Sequence, residues 1–131
     1  MDKEFKPEEK LFRAALPSSL FWNEKRCRFS TSLFKDSNGA SVDRDDNRSN
    51  ESIIKFMMDK LTANKVKAIV CINVDYCNKL PSHIEYNPLK DDVYHSEIHD
   101  SEQKKVLAKG KLIHLARDCE IVYKEFNIDK K

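Results

Sequence analysis

Glycine is scarce in this chain: of 131 residues only Gly39 and Gly110. A loop that cradles phosphate through its backbone N–H groups needs several glycines. The GxGxxG fingerprint, the Walker A loop and the nucleophile elbow are accordingly all missing. Long apolar runs are missing too. The longest, residues 68–72, is five residues, against roughly 20 for a membrane span. The opening MDKEFKPEEK is charged and has no apolar stretch of the kind a secretory signal carries, so a cytoplasmic location is the expectation. Cys27, Cys71, Cys77 and Cys119 form no CxxC pair, and in a reducing compartment they are expected to be free and buried. A strong charge of one sign is also absent. Lys+Arg is 24 against 22 Asp+Glu, a net +2. Domains whose affinity comes from neutralising phosphates carry a clear basic excess, so nucleic acid is not the favoured partner.

What is present argues for one folded domain. Apolar residues make up 40% and charged residues 35%, too apolar for a disordered chain. At this size roughly two-thirds of the extended-chain surface can be buried. Residues 1–10 read as a charged lead-in and residues 11–131 as a single domain.

Hydrophobic periodicity supplies the elements. LFRAAL (11–16) reads as a strand stopped by Pro17, and FSTSLF (29–34) as a second. Residues 35–50 read as a polar surface loop with a short strand near 40–43. Ser49 or Asn50 then caps a helix whose apolar face is Ile54, Met57, Met58 and Leu61. VKAIVCINV (66–74) is β-branched and nearly continuous, the mark of a central strand covered on both faces. Residues 76–81 turn the chain, and HIEY (83–86) and VYHSEIH (93–99) alternate as strands. Asp100 with Gln103 forms an acidic capping box. Beyond it Ala108, Leu112, Leu115, Cys119, Val122 and Phe126 follow a heptad seam, which predicts one long helix over 101–126; the competing reading breaks it near Asp118 and makes 121–126 a strand. The expected fold is α+β: a mostly antiparallel sheet of five to six strands packed against two helices, the C-terminal one long.

Three constellations bear on chemistry. In His95-Ser96-Glu97-Ile98-His99, a strand would place His95, Glu97 and His99 on one face, a ligand set suited to zinc or iron or a setting for a general base. A half-buried strand with a wet face explains the same residues. The H-x-E triplet lacks the P-C-x-x-C of zinc deaminases. Asp43-Arg44-Asp45-Asp46-Asn47 opens like a calcium loop, but the glycine and glutamate such a loop needs are Arg48 and Ile54 here. Arg13 interrupts an apolar strand, so its cation must be wet, paired or placed for an anion. Phe21 and Trp22 beside Lys25, Arg26 and Arg28 are a candidate stacking cluster for single-stranded nucleic acid, or a core anchor followed by a turn.

An Arg on one strand, Ser-Thr-Ser on another and a later Glu resemble the R-S-E class of ADP-ribosyltransferases. The resemblance implies that Arg13, Ser30, Thr31 and Ser32 position NAD and that Glu97 acts in transfer. Only 17 residues separate Arg13 from Ser30, and Glu97 lacks the second acidic or amide residue of that family's doublet. No cofactor signature is complete, and none is expected. Separately, LFRAALP, FSTSLF, the 39–44 step, IEYNPL and HSEI resemble a motif series found in a group of small uncharacterised bacterial proteins. That resemblance spans 11–116, implies no activity, and singles out Arg13, Ser41, Asn87, Pro88, His95 and Glu97.

The leading expectation is an accessory subunit of a bacterial multi-protein system, binding another protein or itself through Leu112, Leu115 and Val122. The alternative is a small enzyme, ADP-ribosyltransferase-like or metal-dependent, with Arg13, His95 and Glu97 as its catalytic residues. A nucleic-acid module comes third. No membrane partner is expected.

Overall fold

The structure is a computed structural model, which describes residues 4–15, 22–23, 28–61 and 66–124. Eight strands, three α-helices and one 3-10 helix follow in order among them: β1 Lys10–Ala15, β2 Trp22–Asn23, β3 Arg28–Phe29, the 3-10 helix Thr31–Phe34, β4 Ala40–Arg44, α1 Asn50–Leu61, β5 Ala68–Asn73, α2 Val74–Lys79, β6 His83–Tyr86, β7 His95–His99, α3 Lys109–Asp118 and β8 Glu120–Lys124. The fold is α+β. Six strands form one antiparallel sheet in the order β6-β7-β4-β1-β5-β8, and β2 pairs with β3 apart from it. No helix among the described residues is long and apolar enough to cross a membrane.

Alternation along the strands sorts side chains to two faces. One face of the sheet carries Leu11, Ala15, Ala40, Val42, Val70, Ile72 and Ile98. They pack with Leu33 and Phe34 of the 3-10 helix, Cys77 of α2 and Leu112, Leu115 and Ala116 of α3. The other face carries Phe12, Ile69 and Cys71 beneath Ile53 and Met57 of α1. β5 is buried on both sides from Ala68 to Ile72, as its continuous apolar run predicts.

Among the described residues there is no long C-terminal helix, and the α-helices number three rather than two. In place of the expected Asp100–Gln103 capping box, the Ser101 hydroxyl accepts from the N–H groups of Gln103 and Lys104, and Asp100 Oδ1 accepts from Ala108 N at 2.8 Å. These bonds hold 101–108 as bent, irregular chain, so α3 begins only at Lys109. It ends at Asp118, and Cys119 is already extended (φ −68°, ψ 154°). The chain then pairs with β5 as β8. The reason is tertiary: a β5 buried on both faces but paired on one side only would leave its backbone N–H and C=O groups unsatisfied. A β-branched Ile121-Val122 serves a strand as well as a seam. Leu112 and Leu115 are therefore core residues of this chain, and Val122 packs on the opposite face with the α1 cluster.

Three further expectations change. FSTSLF is not a strand: β3 ends at Phe29 and Ser30 leads into the 3-10 helix. The short strand expected near 40–43 is β4, but it lies inside the sheet between β7 and β1 rather than in a polar surface loop. Residues 76–81, expected as a turn, overlap α2. The lead-in is docked: Glu9 is buried and its carbonyl accepts from Val74 N at 2.8 Å.

Candidate functional site

β1 and β4 pair at Leu11↔Arg44 and Phe12↔Asp43 and then diverge. Arg13 fills the opening. Its Nε donates to the Leu33 carbonyl at 2.6 Å and its Nη1 to the Ser41 carbonyl at 2.8 Å, so a guanidinium does the work of ladder bonds. Its carbon lies 5.9 Å from the centre of the Phe34 ring. A cavity of about 240 Å³ opens there, lined by Phe12, Arg13, Ala14, Asp36, Ser41, Val42, Asp43, Met57, Lys60, Leu61 and His95.

Asp43 is the chemical centre of that cavity. It faces α1 with 2% exposure, and Asp92, from the β6–β7 connection, has 1%. Lys60 Nζ sits between them, 3.1 Å from Asp43 Oδ2 and hydrogen-bonded to Asp92 Oδ2. Two buried carboxylates beside one ammonium cannot both ionise without leaving net negative charge in a poor dielectric. Burial, and then the hydrogen bond to Asp92, push the Asp43 carboxyl up to about 7. Burial opposes ionisation of Asp92 as well. There the hydrogen bonds from Asp43 and Lys60, with the Tyr94 N–H, outweigh it and hold Asp92 below the ordinary range. Burial would lower Lys60, but Asp92 and Asp43 hold it above its ordinary value. The pair therefore holds a proton more readily than ordinary carboxylates do, and Asp43, the member that faces the cavity, is the one whose pKa is raised.

His95 stands directly opposite Asp43 across the β4–β7 ladder, which sets their Cβ atoms roughly 5 Å apart. Its Nδ1 donates to the Asn87 carbonyl at 2.9 Å. In the neutral ring that bond fixes the proton on Nδ1 and leaves Nε2 as a proton acceptor.

Arg13 and His95 therefore line one cavity; Glu97 does not join them. Two residues further along β7, it accepts from His99 Nε2 at 2.9 Å and from Asn87 Nδ2 at 3.3 Å, and these bonds outweigh burial to lower its pKa. Ser30 and Ser32 are bonded hydroxyl to hydroxyl at 2.6 Å, and Thr31 starts the 3-10 helix. None of these three lines the cavity, so the R-S-E set is not assembled. Of the positions in the bacterial motif series, Arg13, Ser41 and His95 line it, while Asn87 orients the His95 ring. Phe21, Lys25 and Arg26 lie outside the described residues. Among the described residues no group of three or more His, Cys, Asp or Glu is arranged to hold a metal ion.

The sequence pointed to Asp43 only as the start of a calcium-like loop, and it did not single out Lys60 or Asp92. A signal existed for one of them: Lys60 falls three residues after Met57, on the stripe that faces the sheet. Asp43 was hidden in the acidic run of residues 43–46 and Asp92 in that of residues 91–102. A second cavity, of about 200 Å³, is rimmed by Glu4, Glu8, Asp45 and Asp46, and its buried charges, Glu9 and Arg44, neutralise each other.

Comparison of the chain with protein-family models, curated proteins and solved structures finds no match.

Proposed function

We propose that this protein is a small acid–base enzyme that moves a proton on a small polar substrate held between β1, β4 and α1. The observation that carries this reading is the buried Asp43–Asp92 pair, clamped by Lys60 and open to a cavity through Asp43. An acid whose pKa lies near neutrality is the efficient proton donor at neutral pH, because a substantial fraction is protonated and the proton is ready to leave. Asp43 is the general acid. His95, its Nδ1–H bound to Asn87, is the base at the same cavity. Lys60 holds the dyad's charge, and Asp92 is a positioning residue that acts through Asp43.

The accessory-subunit reading takes second place. The seam it relied on, Leu112 and Leu115, is buried in this chain's own core. Its remaining support is four exposed apolar side chains: Leu89 and Val93 in the β6–β7 connection, Val106 before α3 and Ile113 on it. Apolar side chains exposed in ones and twos are common on surfaces.

Carbon-13 NMR titration of the side-chain carboxyls, with proton exchange into small ketones and aldehydes in D2O, tests the proposal. One carboxyl signal titrating near 7, absent in Asp43→Asn, is expected. Exchange should fall about 10²-fold or more in that variant. Carboxyls that all titrate in the ordinary range would overturn the reading.

A further inference from the structure

The cavity holds a cation that makes no direct ion pair with a described residue. Arg13 has five N–H donors and uses two of them, on the Leu33 and Ser41 carbonyls. It makes no ion pair and no further hydrogen bond with a described residue. Burial lowers its pKa, with Asp36 the one carboxylate whose field opposes that effect. A half-buried guanidinium whose hydrogen bonds go only to neutral carbonyls keeps donors free to receive an anion.

The rest of the cavity defines that anion. Lys60 is committed to Asp43 and Asp92, so one cation is available rather than two. That suits a monoanion better than a phosphate dianion. A guanidinium edge presents parallel donors that match the two oxygens of a carboxylate. Phe12, Ala14, Met57 and Leu61 make the neighbouring wall apolar, and about 240 Å³ accommodates only a short hydrocarbon stem. Asp36, also in the lining, disfavours an anion of higher charge more than a monoanion.

We infer that the cavity binds a small monocarboxylate with a short apolar chain, its carboxylate on the free edge of Arg13 and its reacting end toward Asp43 and His95. The chemistry rests on the proton-transfer reading above; the binding rests on Arg13 and the apolar wall alone.

The test is NMR titration of the 15N-labelled chain with acetate, propionate and butyrate at constant ionic strength. Sodium chloride and inorganic phosphate serve as the comparison anions. Saturable shifts of the Arg13 Nε–H and His95 ring signals are expected. Affinity should rise roughly three- to fourfold per methylene as the stem is buried. Arg13→Gln should weaken butyrate at least tenfold. Because Arg13 also bridges two strands, Leu61→Trp provides a second arm: it fills the apolar wall, leaves the guanidinium in place and should abolish butyrate binding. Shifts that never saturate, equal affinity for chloride or phosphate, or butyrate binding that survives Leu61→Trp would each overturn the inference. The two proposals fail separately. Asp43 titrating near 7 with no carboxylate bound removes this inference and leaves the proton-transfer reading. Saturable carboxylate binding with an ordinary Asp43 does the reverse.

Discussion

Glu9 and Arg44 form a two-pronged ion pair, Nε to Oε2 at 2.8 Å and Nη2 to Oε1 at 2.9 Å, with exposures of 7% and 3%. It joins the segment before β1 to β4. The Arg44 guanidinium also lies 4.1 Å from the ring centre of Phe5 and 5.0 Å from that of Tyr86. Removing one partner of such a pair takes its nearest counter-ion away from a buried charge. Glu9→Ala should therefore destabilise the chain by about 3 kcal/mol, read by urea denaturation. A loss below about 1 kcal/mol would mean that water reaches Arg44 when Glu9 is gone.

Stability should depend on pH through Asp43. Its carboxyl titrates near 7 in the folded chain and near 4 when unfolded. The folded state thus favours the protonated form, and this contribution is complete below about pH 4 and lost as pH rises to about 7. Asp92 acts in the opposite sense: its pKa is lowered, so its contribution is present above the unfolded value and lost in acid. Asn at position 43 mimics the protonated acid at every pH. Melting temperatures measured from pH 4 to pH 8 should show Asp43→Asn gaining steadily on the natural chain up to about pH 7 and then running parallel to it.

The two glycines should respond to alanine in opposite directions. Gly39 has φ +87°, and a Cβ there would lie 2.5 Å from Cδ2 of the His99 ring. Gly39→Ala is expected to cost about 1–3 kcal/mol. Gly110 sits in the first turn of α3, where a Cβ would meet nothing within 4 Å. Gly110→Ala should stabilise by up to about 1 kcal/mol. Thermal melts of the two variants decide both signs.

The described thiols should be slow to alkylate in the native chain. Burial pushes Cys77 up to about 12 and Cys119 likewise to about 12; burial, and then the charge of Glu120, push Cys71 up to about 11. Thiolate is the reactive form, so at pH 8 little of any of the three is available. Mass spectrometry after iodoacetamide should find Cys71, Cys77 and Cys119 largely unmodified until denaturant is added. Rapid native labelling of Cys77 would show that α2 opens readily.

Local pattern determined much of this protein. The apolar run of β5, the alternation of HIEY and HSEIH and the helical stripe around Met57 each have one energetically acceptable structure. Their periods place apolar side chains on one face, or on both. The same residues allowed Arg13 to be singled out, because a cation inside an apolar strand needs a partner wherever that strand lies. Tertiary structure decided what local pattern leaves degenerate. Residues 119–124 satisfy a heptad and a strand alike, and the open edge of β5 resolved them as β8, since buried backbone groups must be paired. The acidic residues Asp43 and Asp92, 49 positions apart in the chain, look solvated in sequence. Only packing under α1 brings them to Lys60, and only burial raises the pKa of Asp43. Charge separated along the chain carries no sign of its partners, because desolvation is a property of the folded neighbourhood.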